Sequence, residues 1–199
     1  MSTPAPTRTV DGVDLPAPGV WRVDPGHAEI GFVARHFMLT KVRGRFTGVD
    51  ATVEVAEAPE DSRVEATIDI ASVASGDQTR DDHLRSADFF DVEKWPTSSF
   101  RSTDVTWSGR SGTVTGELTI KDVSRPVSLE VEYLGHARDP WGNDRAVFDA
   151  VGSINREDLG LTYNMVLESG GLLVSKDITL ELHVELIRQT RTPSQEVAH

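Results

Sequence analysis

Apolar and polar residues alternate one for one through four separate stretches of this chain. Val64, Ala66, Ile68 and Ile70 alternate with Arg63, Glu65, Thr67 and Asp69. Val114, Gly116, Leu118 and Ile120 alternate with Thr113, Thr115, Glu117 and Thr119. The same rhythm runs through Val127–Tyr133 and again through Ile178–Leu186. Side chains in a strand point to opposite faces in turn, so each stretch predicts a strand with one dry face and one wet face. A parallel sheet buries both faces and needs helical crossovers between its strands. Neither pattern is present, so the expected class is all-β and antiparallel.

Four more segments fit the same period: about 21–35, 42–56, 97–107 and 145–155. Turn residues separate most of the eight. Ser108-Gly109-Arg110-Ser111-Gly112 and Asp139 to Asp144 read as hairpin loops, and Lys121-Asp122 as a tighter turn. Eight strands, mostly joined to their neighbours, leave a sandwich or a closed up-and-down barrel, and eight is a number at which a barrel can hold one small ligand. Residues 71–96 break the rhythm. Thr79 and Asp82 resemble a capping box, which predicts a short helix near 80–87 within an insertion around 78–90. Leu84, Phe89 and Phe90 are expected to turn inward there and plug or gate one end. A second irregular stretch is expected around His36–Thr40.

Composition excludes more than it selects. The 199 residues suit one domain of about 170 residues, placed at 19–188, with disordered tails expected at 1–18 and 189–199. A formal charge of −12 disfavours nucleic acid and anionic membranes as partners, and no stable membrane insertion is expected. The absence of cysteine removes disulfides, thiolate metal sites and cysteine nucleophiles. Four prolines and no apolar run in the first 19 residues predict no secretory leader, hence a cytoplasmic location.

Candidate chemistry is sparse. His27, His36 and His83 offer nitrogen ligands without metal-binding spacing, and His183 falls on a wet strand face, so neither metal nor cofactor is expected. Nucleophile-elbow, phosphate-loop and dinucleotide motifs are missing. Arg80, Asp81, Asp82, His83 and Arg85 form the densest polar cluster. Arg80, Asp81 and His83 could meet a polar head group; alternatively, Arg80 and Asp81 cap and pin their own loop. Arg156 reads as a corner residue tying backbone carbonyls.

The dry faces carry Ile30, Phe32, Val42, Phe46, Ile68 and Phe100, and further along Leu118, Leu129, Val131, Phe148, Leu180 and Leu182. They describe a filled core or the wall of a cavity. Ala34, Gly44, Ala66, Gly116, Ala150 and Gly152 on the same faces are expected to leave room for a ligand.

Four segments in order resemble one known family. WRVDPGHAEIGFVARHFMLTKVRGRF (21–46) resembles the opening of the YceI family of polyisoprenoid-binding, lipocalin-like proteins. RDDHLRSADFFDVEKWPTSSFRS (80–102), GELTIKDVSRPVSLEV (116–131) and residues 154–186 are similar to its later segments. The resemblance implies an eight-stranded antiparallel lipocalin-like barrel with an apolar tunnel for a long lipophile of the polyprenyl, quinone or fatty amide class. The dry-face residues above, with Ala34, would line that tunnel. Phe37, Met38, Phe89 and Phe90 would surround its open or gated end. Binding, storage or transport is the implied role; sequestration of toxic lipophiles, a scaffold homodimer, or an enzyme using His27, His83 or Asp81 are the alternatives. Ala28 and Lys121-Asp122 depart from the usual Ser and Arg-Gly of the family, in turns or at a strand start, and are expected to bear little on the implied tunnel.

Overall fold

Strand follows strand through most of the chain until the last pairs with the third. The computed structural model describes residues 6–37, 39–165 and 173–189. Its first element is a hairpin of β1 (Thr7–Val10) and β2 (Val13–Pro16), paired only with each other. Asp11 and Gly12 form its turn with positive φ (50° and 81°), the backbone that two-residue hairpin turns need. The expected N-terminal tail is therefore ordered from Thr7. Asp-Gly between Val10 and Val13 was the available signal, and the surrounding prolines obscured it.

The wall begins with β3 (Gly19–His36), β4 (Thr40–Phe46) and β5 (Val49–Val55). It continues through β6 (Arg63–Asp69), the two-residue β7 (Val73–Ala74), β8 (Thr97–Ser108) and β9 (Ser111–Ile120). β10 (Val123–Arg138), β11 (Asp144–Asn155) and β12 (Asp177–Arg188) complete it. The ring order is β3, β5, β6, β8, β9, β10, β11, β12 and back to β3, every pairing antiparallel. The segment expected as one strand over 42–56 is β4 and β5 in succession along β3. Between them, the Thr47 and Gly48 amides leave the ladder and donate to Ser72 Oγ (3.2 and 2.9 Å). The expected turns at Gly109-Arg110 and Lys121-Asp122 join β8 to β9 and β9 to β10.

One helix, α1 (Gln78–Arg85), sits in the insertion. Its N-cap is Asp77, whose carboxylate accepts from the Arg80 amide (3.0 Å), not the expected Thr79. Arg85 donates to the carbonyls of Ala71 (2.9 Å) and Val73 (2.8 Å), and Phe90 N–H donates to Leu84 O (3.0 Å). These bonds fold the insertion back over one end of the barrel. Among the described residues no helix is long and apolar enough to cross a membrane.

The wet faces carry cross-strand pairs: Arg22 with Asp50, Arg45 with Glu29, Arg43 with Glu181 and Arg101 with Glu65. Each is exposed and contributes well under about 1 kcal/mol. Two apolar clusters lie inside. At the insertion end Ile70, Phe89, Phe90 and Leu159 pack with Ile68, Leu118 and Leu129. At the hairpin end Leu15 packs with Trp21, Val23, Tyr133, Ala146 and Leu186.

Candidate functional site

Between the two clusters the barrel is hollow. A cavity of about 240 Å³ opens inside it, where one water needs roughly 10–15 Å³. Alternation builds its wall, since β12 presents Leu180, Leu182, Val184 and Leu186 inward while Glu181, His183 and Glu185 stay outside. Several wall residues, among them Ile30, Phe100, Val131, Leu180 and Leu182, are only half-buried although they face inward. In a packed core such positions lose nearly all exposure; here they border empty space.

Of the predicted lining, Ile30, Ile68, Phe100, Leu118, Leu129, Val131, Phe148, Leu180 and Leu182 do line the cavity. Phe32, Ala34, Val42 and Phe46 do not, because rings fill the insertion end. Phe32 and Phe46 stand 5.6 Å apart between ring centres, and Phe46 meets Phe90 edge-on at 5.8 Å. Leu84, Phe89 and Phe90 turn inward as expected, forming a plug against Ile68, Leu118 and Leu129 rather than a rim around the cavity. Phe37 lies half exposed at the β3–β4 turn with a positive φ of 53°, away from the cavity. Met38 lies outside the described residues.

The glycines act differently from expectation. A Cβ on Gly44 would stand 2.3 Å from the Phe32 ring, one on Gly116 2.4 Å from Phe100, and one on Gly152 2.7 Å from Leu129. These glycines seat large neighbours and create no free volume. Room comes from alanines and valines instead, among them Ala28, Ala51, Ala66 and Ala150. Sequence reasoning missed the lining from β5, Val49 to Val55, although that strand alternates. It also missed Arg8, Leu15 and Pro16 of the hairpin, and Pro59 and Ser62 after β5.

The predicted head-group residues lie at the insertion end and do not line the cavity. Asp81 is 7% exposed, accepts from the Ser75 amide (2.9 Å) and bonds the Ser75 hydroxyl. Arg80 reaches Ser75 Oγ and Ser75 O, both at 2.8 Å. His83 pairs with Asp88 (2.8 Å) and sits edge-on to Phe89 and Tyr163. For Arg80 and Asp81 these are the loop-pinning contacts of the second reading. Arg156 is buried as the expected corner, donating to the carbonyls of Ser175 (2.8 Å) and Tyr163 (3.0 Å) and also to those of Leu161 and Val174.

His27, His36 and His83 are engaged separately, with Asp24, with the Phe37 ring and with Asp88. Asp24, His27 and Glu185 do converge, with ligand atoms within 4.8 Å of one another. A guanidinium already fills that group: Arg145 reaches Asp24 (2.6 Å), Asp139 (2.8 Å) and Glu185 (2.5 Å), tying β3, β11, β12 and the β10–β11 loop together. The bond from Arg145, aided by His27, outweighs burial and holds Asp24 at about 2. Burial pushes Asp139 up, but bonds from Asn143 and Arg145 overcome it and hold Asp139 at about 2 as well.

Comparison with known proteins places this architecture. The family model described as a YceI-like domain matches residues 21–186. A UPF0312 protein of Photorhabdus laumondii is 37% identical over 172 residues, 85% of this chain and 86% of that protein. Protein YceI of Escherichia coli is 36% identical over 164 residues, 82% of this chain and 83% of that one. Among solved structures, the Campylobacter jejuni YCEI protein superposes with a TM-score of 0.67 at 31% identity, covering 78% of this chain and 90% of that one. A polyisoprenoid binding domain from Saccharophagus degradans shares the fold at 15% identity with a TM-score of 0.62, covering 85% and 98%. With its barrel, its insertion and these relatives in agreement, the chain belongs to the family of YceI-like domain proteins.

Proposed function

We propose that this protein binds a long, slender lipophilic molecule inside its barrel, as a carrier or store and without catalysis. The observation that carries this reading is the cavity between two packed ends, walled by apolar side chains. Among the described residues only Arg8 and Ser62 bring a charge or a hydroxyl to it. Burying one CH₂ is worth roughly 0.8 kcal/mol, so a five-carbon isoprene unit is worth about 3–4 kcal/mol gross. Association costs on the order of 4–15 kcal/mol, so three or four such units reach micromolar affinity without strong polar contacts. Selection then falls on length and slenderness, which polyprenyl, quinone and fatty amide chains share. The Saccharophagus domain of the same fold, described as polyisoprenoid binding, is in keeping with that class. His27, His83 and Asp81, the acid–base groups an enzyme would use, lie off the cavity and are engaged with Asp24, Asp88 and Ser75, which supports binding over turnover.

Native mass spectrometry of gently purified protein, followed by organic extraction, tests this. A retained lipophile, or uptake of a long-chain fluorescent probe in roughly one-to-one ratio, is the expected result. Protein that purifies empty and takes up no such probe refutes the reading.

A further inference from the structure

The polar groups along the cavity have unequal commitments. Ser62 Oγ accepts from the Ala56 amide (3.1 Å), and the Trp107 indole donates to Gly109 O (3.0 Å). Arg8, on β1, donates through Nη1 to Pro16 O across the hairpin (3.0 Å). Its Nε–H is buried and has no hydrogen-bond partner among the described residues. A buried donor left unmade is costly, and more so on a charged group. Arg8 also lines the cavity, at the end closed by the hairpin, opposite the aromatic plug.

The hairpin precedes residue 21, where the family match begins, so this group comes from outside the matched domain. Burial pushes the Arg8 guanidinium below its ordinary value, while Glu57 and Glu60 oppose that shift. Those two carboxylates offset the positive charge of Arg8, and the chain carries −12 overall. The group is short of an acceptor atom rather than of a counter-charge.

We propose that Arg8 forms the polar-head subsite of the cavity, its guanidinium donating to an uncharged acceptor oxygen such as an amide or quinone carbonyl on the lipophile. A turn of the flexible side chain brings Nε–H to an oxygen at that end, forming the charge-assisted bond it lacks. The ligand therefore lies with its head at the hairpin and its tail toward Phe46 and Phe90. Phosphate heads are disfavoured, since Glu57 and Glu60 repel a dianion there. This inference rests on the lipophile-binding reading and names the head group and orientation within it.

The test uses the full chain and its Arg8→Met variant, which keeps an unbranched stem and loses the donors. Displacement of a bound naphthylamine dye is measured with dodecane, dodecanamide and dodecyl phosphate. In the wild type the amide is expected to compete about tenfold or more better than the alkane, and the phosphate no better than the alkane. Arg8→Met is expected to erase the amide advantage over the alkane, while a far-ultraviolet circular dichroism spectrum matching the wild type shows that the variant is folded. Amide and alkane competing equally in the wild type, or an amide advantage that survives in Arg8→Met, overturns the Arg8 subsite and leaves lipophile binding standing. Phosphate competing best overturns the uncharged-head assignment. Failure of dye and all three compounds to bind either protein removes the lipophile reading itself.

Discussion

The plugged end and the hollow middle of this barrel obey one alternation rule and reach opposite outcomes. At the insertion end the inward positions carry Phe32, Phe46, Phe89 and Phe90, and rings meet rings across 5.6–5.8 Å until no space remains. Between the ends most inward positions carry valine, alanine and leucine, alongside Phe100, Trp107 and Phe148, and the middle stays open. At the hairpin end closure comes from a second packed cluster: Trp21 and Tyr133, both 0% exposed, pack with Leu15 and Leu186, and the Trp21 indole donates to Ala17 O (3.1 Å). Strand period decides which side chains face inward; how those side chains meet across the ring decides whether the inside is packed or hollow.

The sharpest way to break this contrast is to shorten one side chain in the plug and one in the cavity wall. Phe90→Ala should cost about 3–5 kcal/mol, the usual penalty for a buried ring lost from a packed cluster. Leu182→Ala should cost under about 2 kcal/mol, because that side chain already borders a void and gives up fewer contacts. Urea unfolding of both variants decides it, and equal losses would mean that plug and cavity wall are packed alike.

The next largest effect lies on the outer surface at the hairpin end. Arg145→Ala should destabilise by about 2–4 kcal/mol, somewhat less than a fully buried ion pair because the side chains keep slight exposure. Asp24 and Asp139 are held at about 2, below their ordinary 3.8, so the folded state keeps them ionised where the unfolded chain takes up protons. Their stabilisation is therefore complete above about pH 4 and is lost as pH falls toward 2. Thermal melts across that window should show a steeper acid loss in the wild type than in Arg145→Ala. Parallel curves would show that the knot contributes nothing.

The smallest change in stability should come from filling the void. Ala66→Leu lines the cavity with a longer side chain and should leave stability unchanged or raise it by about 0.5–2 kcal/mol. Uptake of a long-chain dye should fall at least tenfold. Unaltered uptake would place binding elsewhere.

Much of this was legible from residue order. Alternation over 63–70, 113–120, 127–133 and 178–186 located the strands and their inner faces, because period two has one structural meaning. Leu84, Phe89 and Phe90 were recognisable as inward-turning, and Arg156 as a carbonyl-binding corner. Where the hollow lies was not legible, since it depends on which side chains meet across the ring, and only strand register settles that. The glycines were misread for the same reason: Gly44 and Gly116 seem to offer space until Phe32 and Phe100 are found lying over them. Arg80, Asp81 and His83, dense and polar, read either as a head-group site or as a pin for their own loop, and Arg80 and Asp81 bond Ser75 as the second reading expects. Arg8 went unnoticed because a lone basic residue among prolines carries no periodic signal.

The seam between β12 and β3 has a consequence in time. Residues 179–188 close the ring by pairing with residues 21–33, so the last part of the wall to be synthesised meets almost the first. Until that seam zips, the interior is an open curved sheet with its apolar side wet, and no enclosed space exists. Long-range closure of this kind is slow and follows the completion of the chain. A nascent barrel on the ribosome therefore has no interior; the wall has to be finished before the cavity exists.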